Sequence, residues 1–180
     1  IYPSQVSTHG ITGITLADMY YAKSGGMSIK LLGRAIRINR DKTCIFVEPH
    51  LVRDENLLSK VEDVFNGIMI KGNAVGDAMF YGRGAGKMPT ASAVVADIID
   101  SAKHFKARKY IDWEEGNPEN IFDSDEFASC WYIRAVTTRE KVRRIFGDVC
   151  YLEMDGMTAG ELAFITHNIS RRELDARTAD

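Results

Sequence analysis

The sequence predicts an α+β fold: a mixed or antiparallel sheet covered by helices on a face, followed by a small ferredoxin-like βαββα(β) unit. Three observations predict it. Short apolar runs with strand-like alternation or β-branched and aromatic content recur over 27–38, 43–48, 65–71 and 75–81. Helical spacing appears over 16–24 and more clearly over 91–105, where Ala91, Val94, Val95, Ile98, Ile99, Ala102 and Phe105 share a face. From Cys130 onward the signals follow the order β-α-β-β-α.

The first fifteen residues read as extended and turn-rich, with His9-Gly10-Ile11-Thr12-Gly13-Ile14 forming a bent loop. Thr15-Leu16-Ala17-Asp18 resembles a capping box with Asp in place of Glu, and the helix it opens carries Leu16, Met19 and Tyr20 on one face before stopping at Gly25-Gly26. The strand over 27–38 turns back at Asn39-Arg40-Asp41-Lys42, and its partner over 43–48 is closed by Pro49. A linker with one helical turn near Leu57-Leu58 leads to the strand over 65–71. Residues 106–129 lose periodicity and accumulate charge, which reads as a linker. In the tail, Trp131, Ile133 and Ala135 alternate with Tyr132, Arg134 and Val136, and Thr137-Thr138-Arg139-Glu140 caps a helix ending at Gly147. Strands over 149–154 and 161–166 flank an Asp155-Gly156 turn, and Ser170-Arg171-Arg172-Glu173 opens the last helix.

With 180 residues, 45% of them hydrophobic and 27% charged, the composition is that of a soluble globular protein. A net charge of -2 supplies no basic field for nucleic acid or an anionic membrane, so neither is expected as a partner. No apolar run approaches the ~20 residues of a membrane span. Cys44, Cys130 and Cys150 lack metal-ligand spacing, and no metal is expected; Cys44 and Cys150 fall in strand-like runs and read as small buried residues in a reducing compartment. The chain opens on Ile1 with no signal pattern, which reads as a piece of something longer.

The chemistry-bearing stretch is 76–105. An apolar, buried strand over 75–81 runs into Gly82-Arg83-Gly84-Ala85-Gly86, and Pro89 then stands in the first turn of a helix. A side-chain-poor turn between strand and helix points backbone N–H groups at one spot and favours an anion there. The phosphate-loop pattern fails at Tyr81 and Met88, and a dinucleotide fingerprint fails at Lys87. On spacing alone, a tight corner without a ligand stays open as the other reading.

Residues 6–103 resemble the catalytic domain of homoserine dehydrogenases, in its second half. The resemblance rests on GITGITLADMYYAKSGGMSIKLLGRA and FNGIMIKGNAVGDAMFYGRGAGKMPTASAVVADIID, which match in order and spacing. The tail resembles the amino-acid-binding ACT module, through element order and Ile165-Thr166-His167. The resemblance divides the chain into a catalytic-domain segment over 1–106, a linker over 107–129 and an ACT-like module over 130–180 that lacks its last strand. It implies NAD(P)-dependent interconversion of L-homoserine and L-aspartate 4-semialdehyde, in a cytoplasmic enzyme that dimerises through the catalytic-domain sheet. It places Gly82, Gly84, Ala85 and Gly86 near the cofactor, with Thr90 capping the next helix, and His9 and Gly10 on a substrate-side loop, although His9 stands where the family has Glu. The family's nucleotide-binding domain and proton-transfer lysine precede Ile1, so no catalytic residue is assigned, Lys30 reads as a strand lysine, and the isolated chain is expected to be inactive. The ACT likeness implies an amino-acid effector, but the turn at Val136-Thr137-Thr138-Arg139 lacks the small residues such modules use. An amino-acid sensor without catalysis, and a structural oligomerisation unit, are the rival readings.

Overall fold

The computed structural model describes residues 1–107, 115–156 and 158–179. They form two compact units, one from 1–54 with 115–180 and the other from 55–114.

In the first unit, β1 (Ser7–Thr8), α1 (Leu16–Ser24), β2 (Met27–Arg37) and β3 (Thr43–Arg53) follow in order. The β2–β3 hairpin is antiparallel from Met27 opposite Arg53 to Arg37 opposite Thr43. Its turn is held by Asn39, whose side chain accepts from the Asp41 and Lys42 amides at 2.9 and 2.8 Å. Pro49 does not close β3 as expected. Among the described residues only β2 is paired with the strand beyond Val47, and a residue without an N–H is tolerated at an open edge. Residues 115–129 are also more than a linker. They carry two short 3-10 turns and β6 (Ile121–Phe122), which pairs with β3 in parallel, and the Phe127 ring lies 5.8 Å from that of Phe46. The remainder of the expected linker, 108–114, lies outside the described residues.

The tail contributes β7 (Tyr132–Val136), α3 (Arg139–Phe146), β8 (Cys150–Leu152), β9 (Glu161–Ile165) and α4 (Arg171–Thr178), in an antiparallel sheet of order β7-β9-β8. One face of this sheet presents Phe164 to Phe146 of α3. The other face presents Leu152 and Ala163 to Tyr21 of α1, which is fully buried. The tail therefore shares its core with residues of the first 54, and the compact units fall elsewhere than the division at 106 and 130.

One side-chain expectation is corrected, that of Cys150, and the inward face of α1 is assigned. Leu16, Met19 and Tyr20 are more than half exposed, and α1 buries Asp18, Tyr21 and Ala22 instead. Cys44 is buried, whereas Cys150 is exposed in β8.

The second unit holds β4 (Phe65–Gly72) and β5 (Gly76–Arg83), an antiparallel hairpin forming a sheet of its own, and α2 (Lys87–Lys103). A single sheet covered by helices is thus replaced by separate sheets. Nor is β5 buried: Phe80 and Tyr81 are 64% and 56% exposed, and α2 has no buried residue. Among the described residues no helix is long and apolar enough to cross a membrane.

Candidate functional site

The strand of the glycine turn is extended by pairing and by stacking. Phe65 lies opposite Arg83, the Phe65 and Tyr81 rings stack at 4.8 Å, and the Arg83 guanidinium sits 5.1 Å over Phe65. Gly82 and Arg83 therefore belong to β5, and the turn proper is Gly84-Ala85-Gly86. Gly84 and Gly86 each have a physical reason. A Cβ on Gly84 would overlap the Asn66 side chain. Gly86 has φ of 126°, a conformation that L side chains rarely adopt, and it caps α2. At Gly82 an added Cβ would meet nothing within 4 Å.

These contacts decide which amides are free to receive a ligand. Gly84 N–H is occupied, donating to Val64 O at 3.2 Å. Thr90 does not cap α2; it lies inside the helix, and its N–H donates to Gly86 O at 3.1 Å. The N–H groups of Ala85, Gly86, Lys87 and Met88 have no acceptor among the described residues, and all four residues are exposed. They are the orphan donors of a helix start, with the positive end of the helix dipole behind them. The arrangement can receive an anion without help from a side chain.

The loop carrying His9 and Gly10 lies in the other unit. His9 N–H donates to Val47 O at 2.8 Å, while its ring is half exposed, with Nε2 3.9 Å from Glu48 Oε1. Gly10 has open space around it. Lys30 sits in β2 opposite His50. Beside His9, a cavity of about 510 Å³ runs along β3, lined by residues that include Arg34, Glu48, His50, Trp131 and Arg171. Burial pushes the His50 imidazole below its ordinary value, so it is neutral at pH 7, with Nδ1 2.7 Å from Glu48 O. Of the tail positions, Thr138 caps α3 by accepting from Lys141 N–H, and Gly156 and His167 are exposed at a turn and a strand end.

One cluster was missed in the sequence. Asp18 Oδ1 accepts from Arg134 Nε at 2.7 Å and from Tyr132 Oη at 2.9 Å, while Arg134 Nη1 donates to Glu161 Oε2 at 2.7 Å. Thr15 N–H and Oγ1 donate to Asp18 Oδ2 at 2.8 and 2.6 Å, so the expected capping box forms within the same cluster. Burial alone would raise the Asp18 carboxyl, but hydrogen bonds from Arg134, Thr15 and Tyr132 outweigh it and hold it down at about 2. The only sequence signal was a pair of polar residues, Tyr132 and Arg134, two apart on one strand face.

Known proteins resemble the chain throughout. The homoserine dehydrogenase family model matches residues 1–99. Homoserine dehydrogenase of Helicobacter pylori is 37% identical over 137 residues, covering 76% of this chain and 32% of that protein. The Bacillus subtilis enzyme is 42% identical over 101 residues, 56% of this chain and 23% of its own length. Among solved structures, a homoserine dehydrogenase from Thiobacillus denitrificans superposes with a TM-score of 0.78 at 28% identity, covering 98% of this chain and 44% of that one. The S. aureus enzyme at pH 7.5 gives 0.72 at 29% identity, over 98% and 45%. The chain spans about a third or less of the length of these two curated relatives. With the family model matching more than half of its residues, the chain belongs to the homoserine dehydrogenase family.

Proposed function

We propose that this chain is the later part of a homoserine dehydrogenase catalytic domain, followed by an ACT-like module, in an enzyme that interconverts L-homoserine and L-aspartate 4-semialdehyde with NAD(P). The observation that carries the reading is the exposed set of unpaired amides at Ala85, Gly86, Lys87 and Met88, at the end of a strand–turn–helix unit inside the family match. These donors fit an anionic group of a nucleotide: several N–H groups and a helix dipole on exposed residues. NAD(P), when bound, supplies hydride transfer. The residues of this chain then act by position. Gly86 starts α2 where the amides face outward, Gly84 lets Asn66 close the back of the turn, and Gly82 leaves room beside the strand. His9 and Gly10 are the substrate-side loop of this reading.

The β7-α3-β8-β9-α4 order supports the ACT-like module, and with it an amino-acid effector. The exposed Ile68, Ile70 and Phe80 on the β4–β5 hairpin support pairing of two copies through the catalytic-domain sheet. A cytoplasmic location accords with free cysteines at 44, 130 and 150.

The test is a chimera in which residues 6–103 replace the matching segment of the Bacillus subtilis enzyme. It should oxidise NAD(P)H in the presence of L-aspartate 4-semialdehyde. Gly82→Ala adds a methyl that meets nothing within 4 Å among the described residues, so the fold should hold while the cofactor KM rises by about tenfold or more. An unchanged KM would remove the turn from the cofactor site, and a folded chimera without turnover would sink the catalytic reading. The 180-residue chain on its own is expected to show no turnover. Homoserine-dependent NAD(P) reduction by that chain would overturn the assignment of proton transfer to a residue outside it.

A further inference from the structure

We propose that the cavity along β3 binds a small organic monocarboxylate with an apolar or aromatic body, its carboxylate received by Arg34. This inference concerns the first unit alone and does not depend on the reading of the glycine turn. The cavity, at about 510 Å³, is of the size that holds small ligands. Phe46, Phe127 and Trp131 give it apolar walls on the face of the hairpin that carries Arg34.

Its charges do not balance. The guanidinium groups of Arg34, Arg53 and Arg171 line it together with a single carboxylate, Glu48. That carboxylate is already engaged: Arg171 Nη2 lies 3.5 Å from Glu48 Oε1, and the His9 ring 3.9 Å. Arg171 is further held by Asp125 at 3.8 Å and by the Trp131 ring, 5.0 Å beneath its guanidinium. Trp131 is fixed in turn, its Nε1–H donating to Ile169 O at 2.9 Å. Arg34 differs from Arg171. Its side chain makes no ion pair or hydrogen bond among the described residues, and its guanidinium rests 5.7 Å over the Phe46 ring. Phe46 is itself buried and lies directly opposite Arg34 in the β2–β3 register, so the fork is carried on a rigid surface.

The chemistry of the occupant follows from this pairing. A planar guanidinium with an aromatic ring behind it and free donors in front matches a carboxylate in bidentate fashion. A phosphate or sulfate has the charge but would be stripped of water against aromatic walls with too few donors to replace it. An uncharged apolar molecule would fill the walls and leave the guanidinium unanswered. A carboxylate on an apolar body satisfies both.

The experiment titrates the full chain with 3-phenylpropanoate and, separately, with its uncharged amide, followed by ligand-observed NMR. The acid should bind saturably, and the amide about tenfold or more weakly. Arg34→Gln should weaken the acid about tenfold while leaving the amide affinity and the circular dichroism spectrum unchanged, and Arg34→Lys should restore part of the loss. Equal binding of acid and amide, an acid that does not saturate in the millimolar range, or an unchanged affinity in Arg34→Gln would each overturn the proposal.

Discussion

Replacing Arg134 by methionine should destabilise the first unit by about 3–5 kcal/mol, because it leaves buried carboxylates without their cation. The Asp18 and Glu161 side chains are 8% and 11% exposed, and both accept from the Arg134 guanidinium at 2.7 Å. A surface pair of the same geometry would be worth at most about 1 kcal/mol. The difference between these magnitudes is what the measurement decides. Urea unfolding of the variant, monitored by far-ultraviolet circular dichroism, should show the larger loss; a loss near the surface value would mean that water reaches the cluster. Adding Asp18→Asn should recover part of the loss, since it removes one of the charges left behind.

The same cluster sets an acid dependence whose sign can be worked out. Asp18 is held down at about 2 in the folded chain, against an ordinary 3.8. A depressed carboxylate stabilises the folded state above its unfolded value, and that stabilisation is lost as pH falls from about 4 toward 2. The amount is on the order of 2 kcal/mol, from the size of the depression. In Arg134→Met the balance tips toward burial, which raises the carboxyl. Protonation then relieves a buried charge, so the variant should gain stability as pH falls from that raised value to about 4, and should lack the loss that the parent shows between about 4 and 2.

Phe164→Ala should cost a further class of stability, about 3–5 kcal/mol, by opening a cavity in the tail. Phe164 is 1% exposed, with the Phe146 and Tyr151 rings at 5.6 and 6.0 Å. It also sits in β9, which is paired on both sides, so neither β7 nor β8 can move in to fill the space without losing its ladder. Phe164→Leu should recover more than half of the loss. A small effect of Phe164→Ala in the same unfolding experiment would show that α3 collapses onto the sheet.

Much of the local structure was legible because it depends on neighbours in the chain. Asn39 holds the β2–β3 turn with its own side chain, Thr15 and Asp18 form their capping box, and Ser170 caps α4. Each is a bond across three residues or fewer. What was misread involves partners far away. Pro49 reads locally as a strand end, since proline removes a ladder donor, and only the sheet order shows that among the described residues its edge is open. Leu16, Met19 and Tyr20 share a face of α1, and nothing local says whether that face is inner; Asp18 and Tyr21 point inward instead because Arg134, Tyr132 and Glu161 answer them. Residues 115–129 have no periodicity to announce that β6 joins β3. At the glycine turn, spacing located the strand, bend and helix start, but only the coordinates separate the occupied Gly84 amide from the free ones after it.

By itself the sequence determined where strands and helices begin and turn, and the ordered motifs from Gly10 to Asp100 that mark the family. Tertiary structure alone decided that a helix cap doubles as the buried anchor for a strand 116 positions later, and that the tail shares its core with the first 54 residues. The reason is physical. Capping and turn formation are satisfied within a few residues, whereas pairing a buried charge requires a partner that no local pattern names.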